Sequence, residues 1–261
     1  MSDDTVSKIT VGAGDDAREI AVLDQAGAGD GPGVLFLGGF RSDMRGSKAE
    51  ALAAWASVHG RRLTRFDYSG HGASGGRFED GTIGRWLDEA KAVFEAFAAG
   101  PTILVGSSMG GWLSLLLAAA FYRRHGADTP VRGLVLVAPA PDFTEALMWA
   151  EMSEETRTAL MEDGRIEQPS DYSDEPYLIT RALIEDGRNH LLLGGTIETG
   201  CPVHILQGVL DADVPWRHAF SLVDRLATDD VVVTLIKDGD HRLSRPQDLA
   251  RLIAAVESID G

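Results

Sequence analysis

Cys201 is the only cysteine in this 261-residue chain. No intramolecular disulfide can form, and no thiol cluster exists to hold a metal. His-Glu-x-x-His spacing is missing as well, so the expectation is no metal and no cofactor. Positive charge is scarce: 24 Lys and Arg face 40 Asp and Glu, a formal net charge of −16. Such a surface cannot replace counterions along phosphates, which excludes general nucleic-acid binding and disfavours attachment to anionic lipid. No apolar run approaches the ~20 residues that span a bilayer, so stable membrane insertion is not expected. The opening Met1-Ser2-Asp3-Asp4 has neither the basic region nor the apolar core of a secretory signal, and its acids do not suit a transit peptide. With one cysteine besides, the chain reads as cytoplasmic.

What is present is an alternation. Short apolar runs at Val34 to Leu37, Ile103 to Val105 and Leu134 to Val137, and a further strand-like segment from Val203 to Gln207, are interleaved with segments of helical period, such as Ile83, Trp86, Leu87, Ala90, Val93, Phe94 and Phe97. Unbroken apolar runs suit strands buried on both faces. The pattern predicts one α/β domain over residues 1–261, with a doubly wound, mostly parallel eight-stranded sheet and helices on both faces. Gly12-Ala13-Gly14-Asp15-Asp16 superficially resembles a dinucleotide fingerprint, but no helical period follows it, so a cofactor reading is rejected. At about 139–200 the strand rhythm stops. That insertion reads as two or three short helices forming a small cap, whose apolar residues either line an acyl pocket or pack the cap onto the core. Met148 and Trp149 are the candidates for pocket contacts, in a segment that also holds Met152, Tyr172 and Tyr177.

Gly106-Ser107-Ser108-Met109-Gly110 joins a β-branched run to a helix-forming run. The bare pattern fits an ordinary Gly/Ser turn; it also fits a nucleophile elbow, in which the framed serine, Ser108, stands above the carboxyl edge of a sheet. A serine hydroxyl needs a base to take its proton, and the base needs an acid to fix its tautomer. Both follow in order in post-strand loops. Asp211 has the spacing Gly208-x-x-Asp211-x-x-Val214-Pro215, with Asp213 as its rival, and His241 lies beside Asp240. His71 sits in a Gly/Ser loop with no partner implied by the sequence. After a buried strand, Gly38-Gly39-Phe40 turns the chain so that the Phe40 N–H, with the Met109 N–H, is the candidate oxyanion hole.

Four blocks, Gly39-Phe40-Arg41-Ser42-Asp43-Met44, Arg65-Phe66-Asp67-Tyr68-Ser69-Gly70, Gly106-Ser107-Ser108-Met109-Gly110-Gly111-Trp112-Leu113 and Asp240-His241-Arg242, carry a resemblance. The chain resembles the α/β-hydrolase group of palmitoyl-protein thioesterases and mycophenolic acid acyl-glucuronide esterases over nearly its whole length, least in the cap. Gly38 stands where that group usually has proline, and Gln207 where many of its members have histidine. The resemblance implies a serine hydrolase acting on a small-molecule or S-acylated substrate, with Ser108, Asp211 and His241 at the triad positions. A general carboxylesterase and a non-catalytic small-ligand module on the same fold are the alternatives.

Overall fold

In the computed structural model, which describes residues 5–98, 100–168, 177–227 and 230–260, the apolar runs become the middle of an eight-stranded sheet. Its strands are β1 (Ser7–Val11), β2 (Arg18–Gln25), β3 (Gly33–Leu37), β4 (Leu63–Phe66), β5 (Thr102–Ser107), β6 (Val131–Val137), and, beyond the insertion, β9 (Val203–Gly208) and β10 (Val231–Ile236). They lie in the order β1-β2-β4-β3-β5-β6-β9-β10. β2 is antiparallel to both β1 and β4, and all other pairs are parallel.

Because strand side chains alternate, each central strand feeds two cores. Val34, Phe36, Ile103, Val105, Val135 and Val137 pack on one face against helices α1 (Ser47–His59) and α7 (Pro246–Asp260) through Leu52, Trp55, Leu252 and Val256. Leu35, Leu37, Leu104, Leu134 and Leu136 point the other way. They meet α2 (Ile83–Phe97), α3 (Met109–His125) and α6 (Trp216–Val223) through Trp86, Phe94, Trp112, Leu113 and Leu222. Helices therefore cover both faces, as the alternation predicts. α2 starts where Thr82 caps it, the Thr82 hydroxyl accepting the Arg85 N–H at 3.2 Å.

Between β6 and β9 the chain leaves the sheet. A π-helical turn (Thr144–Met148) and a 3-10 turn (Trp149–Glu151) lead to α4 (Glu154–Asp163), then to an antiparallel hairpin of β7 (Arg165–Gln168) and β8 (Tyr177–Thr180), and to α5 (Arg181–Gly187). The helices match the expectation for this region; the hairpin corrects it. β7 reads Arg-Ile-Glu-Gln, with one apolar residue in four, so nothing local marks it as a strand. Tyr172 lies outside the described residues. The segment is tied down by hydrogen bonds: the Trp112 indole donates to the His190 carbonyl at 3.1 Å, and the Asp186 carboxylate accepts the Gly84 N–H at 2.7 Å. Asp142 also accepts the Leu192 and Leu193 N–H groups, at 2.7 and 2.9 Å.

Candidate active site

β5 ends at Ser107 and α3 starts at Met109, leaving a single residue to reverse the chain. Ser108 does so at φ 54°, ψ −118°, a strained backbone region for a side-chain-bearing residue. The turn closes only because its glycines lack Cβ atoms. One at Gly106 would lie 2.4 Å from the Gly110 carbonyl oxygen, and one at Gly110 would lie 2.0 Å from that of Leu37. Ser108 Oγ thus emerges above the carboxyl ends of β3 and β5, where parallel sheets place ligands.

The loops after β9 and β10 lie against one another, the Leu210 N–H donating to the Gly239 carbonyl at 2.9 Å. That contact brings Asp211 and His241 together. His241 Nδ1 lies 2.8 Å from Asp211 Oδ2, and His241 Nε2 lies 3.1 Å from Ser108 Oγ. The Asp211 side chain is fully buried. Its Oδ1 accepts the Asp213 and Val214 N–H groups at 3.0 and 2.8 Å, and its Oδ2 accepts from Gln207 Nε2 at 3.1 Å. A carboxylate that only accepts obliges His241 to carry its proton on Nδ1, which leaves the Nε2 lone pair facing the serine hydroxyl. Asp213, the rival acid, contributes its backbone N–H to Asp211. The ligand-type atoms of Asp211, Asp213 and His241 come within 4.8 Å of one another, a closeness accounted for by the acid–base hydrogen bond and its loop neighbour.

Gly38-Gly39-Phe40 lies against this elbow: a Cβ on Gly39 would sit 3.3 Å from Ser108 Cβ. The Phe40 ring is wedged among Phe78, Trp86 and Phe143, with centroids 4.9, 5.9 and 5.8 Å away. Met109 is the first residue of α3, so its N–H has no carbonyl within the helix. Asp67 braces the neighbourhood, accepting the Met44 and Ala73 N–H groups, each at 2.7 Å; burial pushes its carboxyl above the usual range.

Two clefts meet at Phe40, Ser108 and His241. One, of about 280 Å³, is lined by Met109, Ala140, Phe143, Leu147, Met148 and Val214 on its apolar side and by Glu151, Gln168 and Asp213 on its polar side. The other, of about 320 Å³, carries Arg41, Ser42, Asp43, Lys48 and Arg242. Lys48 donates to the Arg242 carbonyl at 2.6 Å, and burial, reinforced by the Arg242 charge, pushes its ammonium down to about 8.

Of the two candidate pocket residues, Met148 lines a cleft and Trp149 does not. Trp149 packs with Met152, Leu160, Ile179 and Ile184, and the guanidinium groups of Arg157 and Arg188 lie 5.3 and 4.7 Å from its ring centre. Consecutive residues on a tight helical turn face different ways, so only one of the pair reaches the cleft. Phe143 and Leu147 were missed, although their i, i+4 spacing beside Met148 was a usable signal. Arg41, Lys48 and Arg242 carried no such signal, since Arg242 lies 194 positions beyond Lys48.

Residues 33–188 match the family model described as serine aminopeptidase, S33. The mitochondrial palmitoyl-protein thioesterase ABHD10 of Mus musculus is 35% identical over 232 residues, which is 88% of this chain and 76% of that one. A crystal structure from Agrobacterium vitis S4 is 53% identical, with a TM-score of 0.94, covering 98% of this chain and 99% of that one. Mouse alpha/beta hydrolase domain-containing protein 10 gives 32% identity and a TM-score of 0.86, covering 98% of each chain.

Proposed function

Because the chain belongs to the serine aminopeptidase S33 family of α/β-hydrolases, with ABHD10 thioesterases among its relatives, we propose that it is a serine hydrolase cleaving S-acyl thioesters or carboxylic esters. The observation that carries this reading is the hydrogen-bonded chain from Ser108 Oγ through His241 to Asp211, at 3.1 and 2.8 Å.

In this reading His241 Nε2 takes the Ser108 proton as Oγ attacks the acyl carbonyl. Asp211 stabilises the imidazolium that forms, and the Phe40 and Met109 N–H groups receive the oxyanion. His241 returns the proton to the departing thiol or alcohol, and water, activated by the same imidazole, then frees the acyl group from Ser108. The apolar side of the first cleft, formed by Phe143, Leu147 and Met148, suits the acyl chain. The leaving group then lies on the side of Arg41, Lys48 and Arg242, which favours one that bears negative charge.

Intact mass after a fluorophosphonate probe tests the nucleophile. One adduct is expected, absent from Ser108→Ala, together with a loss of kcat of at least about 10⁴-fold. Hydrolysis surviving in Ser108→Ala would overturn the proposal. Running p-nitrophenyl esters beside S-acyl peptides of equal chain length tests the thioester preference: equal kcat/KM values would make the protein a general carboxylesterase.

A further inference from the structure

We infer that His71 is a positioning residue for the proposed oxyanion amide, fixing the Gly39 to Ser42 turn by accepting the Arg41 N–H. The inference rests on the reading above, in which the Phe40 N–H holds the oxyanion. In the sequence, His71 is a loop histidine without a partner. In the fold it is 4% exposed, with its ring 5.1 to 5.7 Å from those of Phe78, Trp86 and Tyr68. Its Nδ1 lies 3.1 Å from the Ser69 carbonyl, which can only accept, so Nδ1 carries the proton. Nε2 is then left with its lone pair, and the Arg41 N–H donates to it at 3.1 Å. Burial, aided by the nearby Arg41 charge, pushes the imidazole down to about 4. At neutral pH it is a fixed acceptor, too far committed to serve as a proton shuttle.

That acceptor meets the turn at its weak point. Gly39 O accepts from both the N–H and the hydroxyl of Ser42, at 3.1 and 2.9 Å, closing a four-residue turn with Phe40 and Arg41 at its centre. Arg41 is the third residue and has φ 57°, a position that favours glycine or asparagine. Rotating the Phe40–Arg41 peptide would relieve Arg41 and swing the Phe40 carbonyl to where the Arg41 N–H now points. His71 Nε2 opposes that rotation twice: it bonds the N–H in the observed orientation, and its lone pair would repel a carbonyl oxygen in the other. Phe40 is thereby held on both sides, its ring by Phe78, Trp86 and Phe143 and its following peptide by His71. The Arg41 side chain is also aimed by this bond, over the Phe78 ring at 5.2 Å and along the leaving-group cleft.

The test is kinetic, on the full chain, comparing His71→Leu, His71→Asn and His71→Gln with a p-nitrophenyl ester. A glutamine carboxamide oxygen reaches the Nε2 position, an asparagine oxygen only the Nδ1 position, and leucine offers no acceptor. The expected result is a loss of kcat of about 10- to 100-fold in the Leu and Asn variants, with KM within about 3-fold and kcat largely restored in His71→Gln. Binding of a trifluoromethyl ketone, which forms an oxyanion on the serine, should weaken by the same factor as kcat/KM. A kcat retained in His71→Leu, or lost as fully in His71→Gln as in His71→Asn, would overturn the inference. If His71→Leu fails to fold, the Asn and Gln pair decides alone. Ser108→Ala in the same assay reports on the hydrolase reading separately, so activity lost there but kept in the His71 variants removes only the role of His71.

Discussion

A histidine ring buried at 4% exposure must stay uncharged, and that requirement sets a pH dependence for the whole fold. Burial, against the Ser69 hydrogen bond and with help from the Arg41 charge, pushes the imidazole of folded His71 from the ordinary 6.5 down to about 4. Between those values the unfolded chain binds a proton that the native one does not. The stabilisation is thus complete above pH 6.5 and is lost as pH falls toward 4, by up to roughly 3 kcal/mol. His71→Gln lacks the titration, so its stability deficit against the parent in urea unfolding should narrow between pH 7 and pH 4.5; a deficit constant over that range would contradict the burial argument. The same residue marks the limit of reading a site from its sequence. Ser108, Asp211 and His241 were legible because chain order and flanking Gly and Pro residues are local signals of an elbow and its post-strand loops. His71 was not, because the amide it accepts lies 30 positions upstream and only the sheet brings the two loops together. Gln207 shows the same limit. The sequence marks it as a departure from the related group, but only the fold reveals its buried amide nitrogen shared among Asp211 Oδ2, the Val214 carbonyl and the Gly208 carbonyl.

The elements divide in the same way. Strands β3, β5 and β6 were legible because two-sided burial demands runs of apolar residues, and α2 because one-sided burial imposes a 3.6-residue period. The hairpin of β7 and β8 lies outside the main sheet, and the exposed and half-exposed residues of β7 leave no such imprint. Only part of this region touches the cleft beside Met109: Glu151, Gln168 at the end of β7 and, as the apolar contribution, the turn from Phe143 to Met148. Substitutions there should therefore change chain-length preference, while those one residue further should not. Met148→Trp is expected to fill the cleft and shift the optimum of a p-nitrophenyl ester series toward shorter acyl chains, with Tm little altered. Trp149→Ala should leave the optimum in place and lower Tm, since it removes packing on Met152, Leu160 and Ile184 and the surface on which Arg157 and Arg188 rest. An unchanged optimum in Met148→Trp would mean that the acyl chain lies elsewhere.

At the scale of the molecule, the charge at the site opposes the charge of the chain. The sequence carries a net −16, yet the cleft proposed for the leaving group gathers Arg41, Lys48 and Arg242 around the single carboxylate of Asp43. The two fields act over different distances. At about 0.01 M salt the screening length is ~30 Å, so an approaching anion senses the whole acidic molecule; at about 0.15 M it is ~8 Å, and the cleft dominates. A substrate with an anionic leaving group should therefore show kcat/KM rising as salt is raised over that range and falling again toward about 1 M, where the cleft too is screened. A neutral ester with the same acyl chain should vary little. Replacing Lys48 and Arg242 by Met should remove the advantage of the anionic substrate at 0.15 M and leave the neutral ester within about 3-fold, because neither side chain takes part in the proposed proton transfers. A steady fall in kcat/KM from the lowest salt onward would mean that the cleft's cations govern approach even against the full charge of the chain. Indifference of both substrates to salt and to the double substitution would remove the cationic cleft from substrate recognition.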